Sequence, residues 1–471
     1  MFEIISPASE LFEAGAHFNS KIYLTHPKKC GSCGKCNAAK HCSCYTVFYC
    51  DEECQAKDWR EHQETCSFTL KDKISEEKDP FQLTLLYLKF AHFCLRSGNF
   101  DDSMENSKKA YIHAVQIRKR IIDGNDLSGD SSEDEVMSEC IIDLTLAEIL
   151  TLMGECYFNQ GQIQQSLTVY GISLDLRRKQ LGDYDPSTVW TLSEVVISRL
   201  CLRNFDTASQ NANVETASSN ANLMFTIAEQ NKDNDSISKK ERNIMMALAE
   251  YNLGLVHEHR GNDDEAMDHY CRAKIIFNQE KKKDWYDTRR SVKCLLRIAE
   301  FYKKKERFED ALKIFCIAQV GLKLNCVINH PELCFILFDV AVIFKNFPDG
   351  CDKAYKITRK AMKMLARFFG PDDVRNAPGL QLLASIMHLK GKYVEAIYLH
   401  LRAIKLVEEN TLMYQDQLPI WYFRLSSAYE EIKSFDKMEE VLVKGLSTCQ
   451  RSELRAMLEV NLQHCRDLQN A

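Results

Sequence analysis

The sequence predicts a mostly α-helical protein built as an array of helix pairs, preceded by a small metal-binding segment. Only 9 prolines and 18 glycines occur in 471 residues, and the apolar and charged fractions are 45% and 27%. These values are typical of a folded helical chain with few loops. Eight of the 20 cysteines lie between Cys30 and Cys66, whereas the rest are scattered singly on apolar helical faces.

One cysteine-rich stretch supplies candidate metal ligands in close pairs. It reads CGSCGKCNAAKHCSCYTVFYCDEECQAKDWREHQETC, residues 30–66. The pairs are Cys30 with Cys33, Cys50 with Cys54, and His62 with Cys66. The first has CxxC spacing, and each of the others spans one helical turn, the last on what we expect to be a second short helix. Adding Cys44 and one neighbour gives eight ligands, enough for two closed structural zinc sites without a position for a catalytic water.

The order and spacing of these ligands resemble the MYND-type zinc finger. This family also uses the residues found here around and between the ligands, in FYC, ECQ and KDW. The resemblance implies two interleaved zinc sites. Site 1 would comprise Cys30, Cys33, Cys50 and Cys54, and site 2 would comprise Cys44, His62, Cys66 and one more ligand.

The eighth ligand is where the sequence departs from the MYND pattern. An ungapped count from Cys33 places His41 there, giving HxxC in place of CxxC. Because imidazole is an ordinary zinc donor, we favour His41, with Cys42 as the alternative through a cramped CxC spacing. Cys36 is then a spare thiol.

Some MYND fingers also bind short proline-containing peptides through a glutamine and a tryptophan on the helix after the sixth ligand. Gln55 and Trp59 match these positions. The resemblance therefore makes them candidate peptide-binding residues, and packing of Trp59 over the metal site is the alternative interpretation.

From residue 81 onward, small and aromatic residues recur with the layout of tetratricopeptide repeats, as in RIAEFYKKKERFEDALKIFCIAQ. Ala384 and Ser426 are 42 positions apart, a longer period than usual, which resembles the repeats of kinesin light chains. The joints LGDYDP and FGPDD are also shared with that family. We expect about eight helix pairs over 81–449, forming a right-handed α-solenoid with a concave groove.

The remaining segments are predicted as an N-terminal arm at 1–29, the finger at 30–66, a linker at 67–80 and a capping helix within 450–471. The stretch 124–139, GNDLSGDSSEDEVMSE, has no apolar period and should form a mobile acidic loop. Ser131 and Ser132 precede acidic residues there and are candidate sites for an acid-directed kinase; a tolerated insertion is the alternative.

Two surfaces of the array are candidate binding faces. Asn252, Lys293 and Arg297 fall at three of the five positions with which tetratricopeptide domains clamp chaperone C-termini. The helix KAYKITRKAMKMLARFF suggests a basic ridge facing an acidic partner, with a merely solvated face as the alternative. Its cations are Lys353, Lys356, Arg359, Lys360, Lys363 and Arg367.

No Gly-rich phosphate loop or nucleophile elbow occurs, so we predict a non-catalytic scaffold that binds protein partners through the groove and the finger. The net charge of -6 gives no general reason to bind nucleic acid or a membrane. The start MFEIISPASELFEAG lacks an export signal, and CFILFDVAVIF is too short to span a bilayer, so we expect an intracellular protein.

Lysine methyltransferases that combine a MYND finger with helical repeats insert the finger into a SET domain. Only 29 residues precede Cys30, and NHPEL at 329–333 lacks most of that family's cofactor motif, so a methyltransferase is not expected. The order of finger then repeats resembles MYND-finger and tetratricopeptide proteins of cilia that accompany inner-arm dyneins. That resemblance implies an axonemal component; a cytosolic assembly or co-chaperone adaptor is the alternative, and a nuclear corepressor adaptor the third.

Overall fold

The computed structural model describes residues 32–33, 40–41, 48–49, 52–62, 67–123, 139–202, 207–279, 285–325, 330–410, 413–449 and 451–470. The finger contributes strands β1 (Lys40–His41) and β2 (Phe48–Tyr49) and helix α1 (Glu52–His62). The strands pair antiparallel, with His41 opposite Phe48. The predicted N-terminal arm at 1–29 lies outside the described residues.

Eight consecutive helix pairs follow, confirming the predicted helical array of about eight pairs. They are α3 (Pro80–Arg96) with α4 (Phe100–Ile122), α5 (Glu139–Asn159) with α6 (Ile163–Leu181), α7 (Pro186–Cys201) with α8 (Thr207–Gln230), α9 (Lys239–His259) with α10 (Asp263–Gln279), α11 (Trp285–Lys304) with α12 (Phe308–Asn325), α13 (Glu332–Lys345) with α14 (Cys351–Phe369), α15 (Ala377–Leu389) with α16 (Tyr393–Glu408), and α17 (Leu418–Glu431) with α18 (Phe435–Thr448). A final helix, α19 (Ser452–Asn470), packs on α18 and buries Leu458 and Cys465.

Three local expectations differ from the structure. The segment 67–80, predicted as a linker, contains helix α2 (Ser67–Glu76), whose Leu70 is buried against Phe90 and Cys94 of α3. The acidic loop was expected to run to residue 139, but Glu139 is the first residue of α5. His62 was expected on a second short helix, yet it is the last residue of α1, the helix that also carries Cys54.

The two helices of a pair approach most closely where a small residue on the first faces an aromatic ring on the second. A Cβ added to Gly154 would lie 2.7 Å from the Tyr170 ring, and one added to Gly254 would lie 2.6 Å from the Tyr270 ring. Both tyrosines are almost fully buried. The recurring small and aromatic positions of the sequence are therefore the crossing points of the helix pairs.

The two kinesin-light-chain-like joints have the same construction. Gly182 and Gly370 end α6 and α14 with positive φ angles of 82° and 87°, which favour glycine. Three residues later, Asp185 and Asp373 accept backbone hydrogen bonds that start the next helical segment. A tight joint of this kind sets the angle between one pair and the next.

Apolar side chains form a core that runs along the array from α3 to α19, in three successive clusters. Cys156 belongs to this core, and Cys94 lies in a small separate cluster with Leu70 and Phe90. Burial raises the pKa of the Cys94 and Cys156 thiols to about 12 and about 11. These two behave as small apolar side chains, as predicted. No helix among the described residues has the length and apolar character needed to cross a membrane.

The helix crossing leaves no room for a side chain at Gly254. Tyr270 cannot move away, because it is buried and its hydroxyl donates to Glu258 at 2.6 Å. We expect Gly254→Ala to lower the free energy of unfolding by about 1–3 kcal/mol through overpacking, measured by urea denaturation. Gly171, inside α6, has no atom within 4 Å of an added Cβ, so Gly171→Ala should stabilise by about 0.5–1 kcal/mol. If the free energy of unfolding changed in the same direction in both variants, close helix crossing at Gly254 would not be the cause.

Candidate functional site: the finger and the chamber

The described part of the finger contains some of the predicted zinc ligands. Cys33 lies in an exposed turn, and His41 lies on β1, which pairs with the strand that precedes Cys50. Cys54 and His62 both lie on α1, eight positions apart. Neither Cys33 nor Cys54 forms a disulfide, so both thiols are chemically suited to bind zinc.

The other predicted ligands, Cys30, Cys42, Cys44, Cys50 and Cys66, lie outside the described residues, as does the spare thiol Cys36. Within the part of the chain that the structure describes, no group of three potential metal ligands comes together. The assignment of ligands to sites therefore stays a prediction. Gln55 is partly exposed on α1, which also carries Trp59, whereas Ser131 and Ser132 fall outside the described residues.

A chamber of about 450 Å³ lies inside the array, walled mainly by the odd-numbered helices α5, α7, α9 and α11. Its wall is strongly charged, but the two signs balance. The acidic residues are Glu148, Glu155, Glu194, Glu241 and Asp287, and the basic residues are Arg177, Lys240, Arg289, Arg290 and Lys293. A pocket of this size can accept a few side chains of a partner.

Most of these charges are paired across helices. Arg177 of α6 donates to Glu148 of α5 at 2.6 Å, and Lys240 of α9 lies 2.7 Å from Asp287 of α11. Arg290 lies over the Trp190 ring at 5.1 Å. A segment that enters the chamber must therefore break some of these internal ion pairs and replace one member of each with a charge of its own.

Arg289 closes the chamber by joining helices that are far apart in sequence. This buried side chain of α11 forms an ion pair with Glu155 of α5 and donates to Glu332 of α13 at 2.6 Å. Because α5 and α13 belong to the second and sixth pairs, the array curves back on itself at this point.

Two apolar contacts join the first pair to the sixth. The turn at Gly98, with a φ of 76°, is so close to the Pro331 ring that an added Cβ would clash with it. Phe100 of α4 stacks on Phe369 of α14 with ring centroids 6.2 Å apart. The motif NHPEL, which begins like a methyltransferase motif, thus supplies a packing contact through Pro331.

The charge of Glu332 depends on Arg289. Burial raises the pKa of the Glu332 carboxyl, but the Arg289, His330 and Lys293 side chains outweigh burial and lower it from 4.5 to about 2. A carboxyl whose pKa is lower in the folded state stabilises the fold at pH values above its unfolded pKa. This contribution is thus present above pH 4.5 and is lost as the pH falls towards 2.

The three clamp candidates are not brought together as a peptide clamp. Asn252 is fully buried and donates to Ser193 Oγ and to the Leu248 carbonyl, each at 2.8 Å. Arg297 lies 3.6 Å from the Glu258 carboxylate. Burial alone would lower the pKa of Arg297, but the neighbouring Tyr251 and Glu258 outweigh burial and raise it. Only Lys293 lines the chamber, where burial lowers its pKa.

Comparison with known proteins bears first on the finger. Residues 30–66 match the family model described as "MYND finger". The N-terminal segment is a MYND finger. This family implies zinc binding, and Cys33 and Cys54, which form no disulfide, fit that metal.

The repeats resemble kinesin-light-chain-related proteins of Arabidopsis thaliana. "Protein KINESIN LIGHT CHAIN-RELATED 2" is 24% identical over 280 residues, covering 52% of this chain and 40% of the relative. "Protein KINESIN LIGHT CHAIN-RELATED 3" is 23% identical over 304 residues, covering 61% and 42%. This chain thus spans about two-fifths of the length of either relative. It combines a MYND finger with kinesin-light-chain-like helical repeats.

Two solved structures show a partial likeness to this chain. Aspartyl phosphate phosphatase F from Bacillus subtilis is 14% identical, with a TM-score of 0.47, over 83% of this chain and 91% of its own. BtubC (BKLC) from P. vanneervenii is 18% identical, with a TM-score of 0.41, over 54% and 93%.

Sequence reasoning found the finger and the repeats but missed the residues that close the chamber. Arg289 and Glu155 are 134 positions apart, and Gly98 and Pro331 are 233 apart, so neither pair follows the repeat period. The sole local signal was Gly98 in an SGN turn, which indicates a tight turn and says nothing about what packs on it.

Closure of the chamber should depend on Arg289. Arg289→Ala would leave Glu155 and Glu332 without their shared cation, and loss of one member of a largely buried ion pair costs up to about 3–5 kcal/mol. We expect a lower melting temperature and faster hydrogen exchange at 95–100 and 330–334. The matched control is Lys444→Ala, which removes an exposed pair with Glu440 on one helix and should change stability by less than about 0.5 kcal/mol. Unchanged exchange at both segments in Arg289→Ala would show that this residue does not hold the array closed.

Proposed function

We propose that the protein is a non-catalytic scaffold that binds protein partners through its repeat array and its MYND finger. The observation that carries this proposal is the chamber, whose wall consists of paired charges contributed by successive helix pairs. Such a surface can recognise a partner segment of mixed charge, because the partner's charges replace those of the internal pairs. The finger supplies a second, separate contact surface.

We further propose that the scaffold is a structural or dynein-associated component of the ciliary axoneme. The support is the domain order, in which a MYND finger precedes a long repeat array. The names of the Arabidopsis relatives, which are kinesin-light-chain-related, are in keeping with a cytoskeletal setting. The protein would then reside in the cytoplasm and on the cytoskeleton of the cilium or flagellum.

The alternative is a cytosolic assembly or co-chaperone adaptor. It receives less support, because Asn252 is buried and Arg297 is ion-paired, which leaves Lys293 as the single clamp residue in the chamber. The methyltransferase alternative has no support in the described residues.

Fractionation of ciliated cells that express the tagged full chain separates these proposals. We expect the protein to stay with axonemes after high-salt extraction, and proximity labelling to mark inner-arm dynein subunits. Recovery in the soluble fraction, together with a chaperone whose binding is sensitive to nucleotide, would favour the adaptor and contradict the axonemal role.

We also propose that the finger holds two structural zinc ions. Site 1 would use Cys30, Cys33, Cys50 and Cys54, and site 2 would use His41 or Cys42 with Cys44, His62 and Cys66. Metal analysis of the purified protein should give two zinc ions per chain. Cys54→Ser should lose at least one zinc ion, because a structural site needs all four ligands.

Cys36→Ser is the matched control for this measurement, since it removes a thiol from the same segment without removing a proposed ligand. It should retain both zinc ions. Loss of zinc from Cys36→Ser, or full retention by Cys54→Ser, would contradict the ligand assignment. Comparison of His41→Ala with Cys42→Ser then identifies the eighth ligand.

A further inference from the structure

We propose that the groove between α14 and α16 binds an acidic segment of a partner protein that also carries apolar side chains. This site is separate from the chamber and from the finger, because it lies between two even-numbered helices near the C-terminal end of the array. The proposal goes beyond the scaffold function by naming a surface and the chemistry of its ligand. It does not depend on the axonemal assignment.

The groove has a volume of about 880 Å³ and a rim of one charge sign. No acidic residue occurs among its lining residues, in contrast to the balanced wall of the chamber. The lining cations are Lys356, Arg359, Lys360, Lys363 and Arg402. Five cations around one groove create a positive potential that attracts carboxylates.

Three of the groove cations on α14 form no ion pair among the described residues. Lys356, Arg359 and Lys363 are exposed and lie on one side of the helix at spacings of three and four. The single acid of α14, Asp352, forms an ion pair with Lys390 instead. Among the described residues, no carboxylate lies within ion-pair distance of Lys356, Arg359 or Lys363.

One groove cation is partly compensated at the far rim. Arg402 of α16 donates to Asp372 at 2.9 Å, but Asp372 is largely exposed and does not line the groove. Burial lowers the pKa of Lys360, so the groove wall is partly desolvated on the α14 side. The net charge of the groove therefore stays positive, and carboxylates are the groups that complement it.

The floor of the groove is apolar, which decides the class of ligand. Leu380 and Leu383 of α15 lie at its base, flanked by Met362 and Leu399. A polyanion such as nucleic acid would use the cations but would leave this floor uncovered. A peptide with alternating carboxylate and apolar side chains would use both, because its apolar side chains could cover the leucines while its carboxylates reach the rim.

Helix α16 also carries an exposed apolar face, which does not itself line the groove. Val394, Tyr398 and Leu401 lie on one face of this helix and are 72%, 64% and 44% exposed. Three large exposed apolar residues at this spacing are typical of a protein-binding face. The groove and this face together fit a helical acidic segment with one apolar side.

The test uses the full-length, zinc-loaded protein and a fluorescent helical peptide that has glutamates on one face and leucines on the other. We expect the charge-reversal variant Lys356→Glu/Lys363→Glu to bind this peptide at least about tenfold more weakly than the wild type. The matched control is Lys119→Glu/Arg120→Glu, which makes the same charge change at exposed positions of α4 and should bind normally. Equal binding by wild type and groove variant, or equal weakening in both variants, would overturn the proposal.

Further probes identify the occupant. Replacing the leucines of the peptide by serines should weaken binding severalfold; unchanged binding would mean that the floor takes no part and would overturn the amphipathic ligand. Double-stranded DNA, phosphatidylserine vesicles and a peptide copy of residues 124–139 are tested alongside. Tighter binding of any of these than of the amphipathic peptide, lost in the groove variant, would assign the groove to that ligand and reject an acidic partner protein.

Discussion

The close crossing of two helices within each pair is the constraint on which the rest of the structure depends. A single pair cannot bury its apolar face alone, so stability comes from its own crossing and from the next pair. Glycine at 154 and 254 lets the helices approach until a tyrosine ring fills the gap. Because this geometry recurs, each pair is displaced from the previous one in a similar way, and the repeated displacement curves the array.

Curvature brings the first and sixth pairs together, and this contact differs from the others in kind. Contacts between neighbouring pairs are extensive and apolar, whereas the first pair meets the sixth through the Gly98–Pro331 packing and the Phe100–Phe369 stack. Beside this contact, the ion pairs of Arg289 join α11 to the second and sixth pairs. A few side chains hold this contact, so we expect it to open at a lower free energy than that needed to unfold the pairs on either side.

Much of the fold could be predicted from sequence because its information is local. The positions of small and aromatic residues, and the Gly and Asp of each joint, lie within one repeat. The closing contacts lie outside this period, and the helix SFTLKDKISE was missed because its apolar residues are few and Leu70 is buried only through contact with α3. Asn252 was a candidate ligand contact, but Ser193 of α7 accepts its side-chain hydrogen bond, which makes Asn252 a buried structural residue in this fold.

The chamber and the groove use charge in opposite ways, which gives one scaffold two modes of recognition. In the chamber, most cations already have an acidic partner, so an entering segment gains little net electrostatic energy and is selected by how well its charges match. In the groove, the exposed cations of α14 are not neutralised by nearby carboxylates, so an acidic segment is attracted from a distance and the attraction weakens with salt. The groove can therefore capture an acidic segment, while the chamber, whose charges balance, can select a segment by its charge pattern. The two surfaces lie on different helices of the same array, because odd-numbered helices mainly wall the chamber and α14 and α16 form the sides of the groove.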